Sequence, residues 1–144
     1  MQVAIKNAKI VLGVSAGIAV YKAVEILRLL VKEGADVRVV MSANAGKFVT
    51  PLTFAALSGN PVYHSLFDSQ NSADMEHIRV AENADLLVVA PATASMLGKM
   101  AHGLADDALS NLHLAFKGSV LVAPAMNEGM WELPAVKNNI DILK

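Results

Sequence analysis

The stretch Lys9-Ile10-Val11-Leu12-Gly13-Val14-Ser15-Ala16-Gly17-Ile18-Ala19-Val20-Tyr21-Lys22 decides the fold. Ala8 to Gly13 is an apolar run ending in small residues and reads as a buried strand. Ser15-Ala16-Gly17 makes the turn. From Ile18 to Lys32 the apolar positions Ala19, Ala23, Ile26, Leu27 and Leu30 recur with helical spacing, and Gly34 stops the helix. Val37-Arg38-Val39-Val40-Met41 is a second strand, so the chain opens with a β-α-β unit whose crossover is right-handed.

The rest of the chain continues this alternation. Ser42 to Gly59 reads as turn and short helix, with Pro51 suited to a first helical turn. Pro61-Val62-Tyr63 reads as a short strand, and Asp68 to Asp74 as a polar loop. His77 to Ala84 is a short helix or turn. Asp85 to Ala90 is a strand that Pro91 ends. Helices are expected over Ser95–Ala101 and Asp106–Phe116, a strand over Val120–Ala123, and helix again from Asn127 to Asn138-Asn139. Strands alternating with helices give an α/β, Rossmann-like (flavodoxin-like) three-layer fold with a mainly parallel central sheet.

The 144 residues suit one domain with one core. Hydrophobic residues make up 54% and charged residues 17%, so part of the surface is expected to be covered by other subunits. A net charge of −1 without a basic run argues against nucleic acid. There is no cysteine, which excludes disulfides, thiolate zinc sites and a cysteine nucleophile within this sequence. The first residues lack a signal-peptide layout and no apolar run spans a bilayer, so a cytoplasmic protein without membrane contact is expected.

Three strand ends carry small or hydroxyl residues. Gly13-Val14-Ser15-Ala16-Gly17-Ile18-Ala19 lets backbone amides approach an anion at a helix N-terminus, or is simply a tight turn. The dinucleotide fingerprint Gly-x-Gly-x-x-Gly is missing, and the second strand ends in Ser42 instead of an acidic residue, which favours a mononucleotide. Pro91-Ala92-Thr93-Ala94-Ser95 offers hydroxyls and amides that cap a helix or meet a ligand. Three such ends pointing one way suggest a single pocket. Ser119-Val120-Leu121-Val122-Ala123 runs into Pro124-Ala125-Met126-Asn127-Glu128-Gly129-Met130-Trp131 and delivers Asn127 to the carboxyl edge of the sheet, where α/β folds bind ligands. Asn127 also reads as a helix cap, and Met126, Met130 and Trp131 as core. His77, in Met75-Glu76-His77-Ile78, has no metal-ligand spacing to His64, His102 or His113.

With these motifs in order, almost the whole chain resembles the flavin-containing cysteine decarboxylases, above all the phosphopantothenoylcysteine decarboxylases of coenzyme A synthesis. Ser15-Ala16-Gly17-Ile18-Ala19-Val20-Tyr21-Lys22 resembles the family's Gly-Ser-Ile-Ala-Ala-Tyr-Lys segment, and Pro91-Ala92-Thr93-Ala94-Ser95-Met96 its Pro-Ala-Ser-Ala-Asn-Thr motif. Pro124 to Trp131 fits Pro-x-Met-Asn-x-x-Met-Trp at every specified position, and His77 falls where the family's active-site histidine lies. The resemblance implies FMN as cofactor. Gly17, Ile18, Ala19 and Ser42 would hold its phosphate with Phe48 nearby, and Thr93, Ala94, Ser95, Met96 and Met126 would line the ring and ribityl chain. Asn127 would bind the substrate carboxylate with Met130 beside it, and His77 would act as acid/base or orienting group. It also implies a homotrimer, or a dodecamer built of trimers.

The implied reaction is decarboxylation of 4'-phosphopantothenoylcysteine to 4'-phosphopantetheine. Two departures stand against the family pattern. Ser95 and Met96 replace the usual Asn and Thr, which removes hydrogen-bonding groups. The family's coenzyme A members also carry a flap cysteine downstream, absent here. The expectation is therefore a single FMN-binding decarboxylase domain over 1–144, cut short at Ile140-Asp141-Ile142-Leu143 in what reads as a strand, and followed in nature by a fused or separate synthetase domain. The alternatives are an oxidative peptidyl-cysteine decarboxylase, which needs no flap cysteine, and a non-catalytic FMN-binding or regulatory subunit. The His77 and Pro-Ala-Met-Asn pair argues against a prenyl-flavin synthase.

Overall fold

The computed structural model describes residues 4–67 and 72–144, with residues 72–74 and 77 described by their backbone alone. Four strands, β1 (Lys9–Val14), β2 (Asp36–Met41), β3 (Leu86–Ala92) and β4 (Ser119–Pro124), form one sheet in the order β2-β1-β3-β4. Every pairing is parallel. The two inner strands read as unbroken apolar runs because helices cover both faces. All residues of β1 but Lys9, and all of β3 but Leu86, are buried.

Side chains alternate across a strand, so each inner strand feeds two cores. Ile10, Leu12, Val14, Val88 and Ala90 point to one face. There they meet Val20, Ala23 and Leu27 of α1 (Val20–Lys32) and Phe54 of α2 (Pro51–Ser58). Val11, Leu87, Val89 and Ala92 point to the other. They pack on α4 (Ala94–His102), α5 (Ala108–Ala115) and Val136 of α7 (Pro134–Leu143). The helices α3 (Ser72–Glu82) and α6 (Glu128–Glu132) complete the chain. Among the described residues no helix is long and apolar enough to cross a membrane.

The opening β-α-β unit stands as expected, with Gly34 at positive φ ending α1 and Pro51 in the first turn of α2. Four expectations need correction. Pro91 does not end its strand: after the cis Ala90–Pro91 peptide, β3 runs on to Ala92, whose partner is Pro124. Pro61-Val62-Tyr63 supplies only one bridge, Val40 to Tyr63, because Pro61 donates no ladder bond. Of the polar segment 68–74, residues 68–71 lie outside the described residues, and Ser72 already opens α3. Ile140-Asp141-Ile142-Leu143 is the last turn of α7, not a strand, since Pro134 starts a helix at its first position and Ile140 and Leu143 pack together on the second core.

Candidate functional site

The carboxyl ends of β1, β2 and β3 converge on one cavity of about 240 Å³. Its lining includes Ser15, Ser42, Asn44, Thr93, Ser95 and Met96, with Lys99 and Asp107 at its side. That volume lies below the range of about 300–1,000 Å³ usual for whole small ligands, so it suits one arm of a larger molecule.

Ser15 stitches the strand ends together. Its hydroxyl donates to the Pro91 carbonyl and accepts the Thr93 N–H at 3.0 Å, while its own N–H also donates to Pro91. The residue is therefore committed to the frame. The turn after it is not: α1 has no side-chain cap, and the N–H groups of Ala16, Gly17, Ile18 and Ala19 make no hydrogen bond among the described residues. Four open amides before a 13-residue helix form a ready anion cradle. Gly17 keeps that cradle narrow, since a Cβ there would stand 3.3 Å from the Thr93 methyl.

Ser42 follows β2, and its N–H is tied to the Val14 carbonyl at 2.9 Å. It is buried, and its hydroxyl has no partner among the described residues. Thr93 caps α4 by accepting the Met96 N–H at 3.2 Å, which leaves its hydroxyl proton to donate elsewhere. Ser95 is exposed at the cavity, and Met96 is buried with one side in the second core. The structure thus brings Ser42, Thr93, Ser95 and Met96 together, with Gly17 against Thr93. Ile18 and Phe48 stand exposed outside the lining, as do the less exposed Ala19 and Ala94.

Asn127 arrives from β4. Ala125 N–H donates to the Ala92 carbonyl at 3.0 Å, which joins the Pro-Ala-Met-Asn turn to the residue before Thr93. Met126 is half-buried against the second core, and Met130 is exposed on α6. Asn127 caps α6 through its carbonyl oxygen, which accepts the Met130 N–H at 2.9 Å. Its amide NH₂ has no partner among the described residues, so the residue is both a cap and an open donor. His77 lies midway along α3, and its side chain is outside the described residues.

Sequence reasoning missed Lys99 and Asp107. Lys99 Nζ lies 3.0 Å from Asp106 and 3.7 Å from Asp107. The hydrogen bond to Asp106 holds the Lys99 ammonium above its ordinary pKa, and the same bond pulls the Asp106 carboxyl below its own. Asp107 is buried and caps α5 in a reciprocal box with Ser110. An aspartate three residues before a serine that opens an apolar helix is the signal that locates this cap.

The Flavoprotein family model matches residues 2–144. The chain belongs to the Flavoprotein family. It is 50% identical over 139 residues to the coenzyme A biosynthesis bifunctional protein CoaBC of Bacillus subtilis (strain 168), covering 96% of this chain and 34% of that protein. The chain thus spans about a third of the length of this curated relative. Among solved structures, the FMN-dependent cysteine decarboxylase SpaF superposes with a TM-score of 0.86 at 32% identity, over 97% of this chain and 81% of that one. A mutant PPC decarboxylase complexed with pantothenoylaminoethenethiol gives a TM-score of 0.78 at 29% identity, over 96% and 78%. Superposition over nearly the whole of this chain shows that both structures share its fold.

Proposed function

We propose that this chain is an FMN-dependent carboxy-lyase domain that decarboxylates 4'-phosphopantothenoylcysteine to 4'-phosphopantetheine. The observation that carries the reading is the joining of two sites. An anion cradle at the ends of β1, β2 and β3 lies one strand away from an open amide donor at the end of β4. The residues fit the cofactor's phosphate end: four amides at Ala16–Ala19 and the Ser42 hydroxyl, all without a partner among the described residues, and the narrow space kept by Gly17. Thr93, Ala94, Ser95, Met96 and Met126 are proposed to hold the remainder of FMN, with Phe48 near the phosphate. The match to CoaBC and to the PPC decarboxylase structure supports the substrate.

When bound, FMN would supply a two-electron couple: the cysteine thiol is oxidised before the carboxylate is lost, and the same two electrons return to the resulting enethiol to give the saturated thiol. The chain's own residues hold the substrate. The Asn127 NH₂ donates to the carboxylate that leaves as CO₂, and its committed carbonyl oxygen fixes the amide's orientation. His77 is assigned as the acid/base or orienting group of the reaction. Homo-oligomerisation as a trimer or dodecamer in the cytoplasm, with a fused or separate synthetase domain, belongs to the same proposal. Exposed Ile18, Leu52, Phe67 and Leu121 give such an assembly apolar surface to bury.

The test is the visible spectrum of the purified chain, with the flavin identified after denaturation, followed by CO₂ release from phosphopantothenoylcysteine. Bound FMN and CO₂ release sustain the reading. A colourless chain that takes up no added FMN overturns it. His77→Asn should keep the flavin and release no CO₂. A second reading, oxidative decarboxylation of a peptide's C-terminal cysteine, is favoured by the likeness to the solved peptidyl-cysteine decarboxylase EpiD, with a TM-score of 0.81 at 26% identity. A product lighter by two hydrogens distinguishes it.

A further inference from the structure

The cavity wall between Ser42 and Asn44 is held from the far side of the chain. Asp107, 6% exposed, divides its two carboxylate oxygens between two tasks. Oδ1 accepts the Ser110 N–H at 2.8 Å and the Ser110 hydroxyl at 2.7 Å, and the Ser110 hydroxyl accepts the Asp107 N–H at 3.1 Å. That set caps α5. Oδ2 faces the cavity, where it accepts the Ala43 N–H at 3.3 Å and lies 3.7 Å from Lys99 Nζ. Asp107 and Ala43 are 64 residues apart.

We propose that Asp107 is the positioning residue for the phosphate end of this pocket. It clamps the Ala43 amide through Oδ2, fixes the backbone on which Ser42 stands, and so sets the preference for a phosphorylated flavin over the same flavin without phosphate. The inference rests on the FMN reading above. The cap alone does not require an aspartate, because asparagine caps as well. The clamp does require one. Ala43 N–H and the Lys99 ammonium are both donors, and only a carboxylate offers them an acceptor while its other oxygen serves the helix. Lys99 faces both Asp106 and Asp107, so its ammonium offsets one of the two carboxylates at the cavity wall.

Asp107→Asn separates the two tasks. Its carbonyl oxygen keeps the Ser110 cap, and its NH₂ then faces two donors. FMN and riboflavin binding are measured on the purified chain by quenching of flavin fluorescence, with Ser110→Ala as the companion variant. The expected result is an FMN Kd raised about tenfold in Asp107→Asn, from the loss of one hydrogen bond to a charged group, with the riboflavin Kd unchanged within twofold. Ser110→Ala disturbs the cap while keeping the clamp, and should leave the ratio of the two constants as in the wild type. Faster hydrogen exchange of the Ala43 amide, with the Ser110 amide still protected, is expected in Asp107→Asn without any flavin.

An Asp107→Asn chain that keeps the wild-type FMN preference, or weakens both flavins alike, overturns the proposal. Unchanged Ala43 exchange overturns it as well. Failure of the FMN reading shows differently: the wild-type chain itself then binds neither flavin, and the inference falls with it.

Discussion

Asn127→Asp and Asn127→Ala should rank in opposite orders for stability and for turnover. The side chain performs two tasks with different atoms. Its oxygen accepts the Met130 N–H at 2.9 Å, and its NH₂ is open. Aspartate keeps the acceptor and caps about as well as asparagine, so the urea midpoint should stay within the equivalent of about 0.5 kcal/mol of wild type. Alanine loses the cap at about 1 kcal/mol. Turnover reverses the order. Removing a donor to a carboxylate costs about 1.5–3 kcal/mol, or roughly 10–150-fold in kcat/KM for Asn127→Ala. Asn127→Asp loses the same bond and adds a second carboxylate against the substrate's. At about 4 Å and an effective dielectric constant of about 20 this repulsion is worth about 4 kcal/mol, which brings the loss to roughly 10,000-fold or more. The assay is CO₂ release at matched flavin content, read from the visible spectrum, beside urea unfolding of each variant. Activity that follows stability, with Asn127→Asp close to wild type in both, would refute the assignment of the open NH₂ to the substrate.

Two further outcomes test the frame. A Cβ on Gly13 would stand 2.5 Å from Leu109 Cδ1, and Leu109 is fully buried, so Gly13→Ala should lower stability by about 1–3 kcal/mol in urea unfolding. Adding Leu109→Val should cost less in that background than in the wild type; strict additivity would sink the packing argument. Burial holds His113 below its ordinary pKa of 6.5, so below that pH the unfolded chain binds a proton that the folded chain refuses. Stability should therefore fall as pH drops through about 6.5, and His113→Gln should flatten that slope between pH 7.5 and 5.5. An unchanged slope removes His113 as its source.

The β-α-β opening was legible because its periods change cleanly, from an apolar run to a 3.6-residue spacing and back. The strand ends and the Asn127 turn were legible for the same reason: short polar residues follow long apolar ones. What escaped was set by distant partners. Pro91 looks like a strand end, yet the pairing of Ala92 with Pro124 carries β3 past it. Ile140 to Leu143 has strand-like composition, yet Ile140 and Leu143 pack on the second core from a helix begun at Pro134. Thr93 and Asn127 act as helix caps, as their local reading had it. Asp107 falls in a stretch that reads only as helix, and nothing local announces that its second oxygen reaches Ala43.

The placing of β1 between β2 and β3 also has a bearing on synthesis. β2 follows β1 closely in the chain, but Ser15 must wait for Pro91, 76 residues later. At about 5–20 residues per second, that interval is roughly 4–15 s on the ribosome. Throughout it one side of an apolar strand lies open to any other extended chain. A nascent polypeptide of this kind is expected to need shielding by a holding chaperone during that window. The cavity cannot close before Thr93 has been translated, 78 residues after Ser15, so the ligand finds its cradle only once that second strand end has emerged.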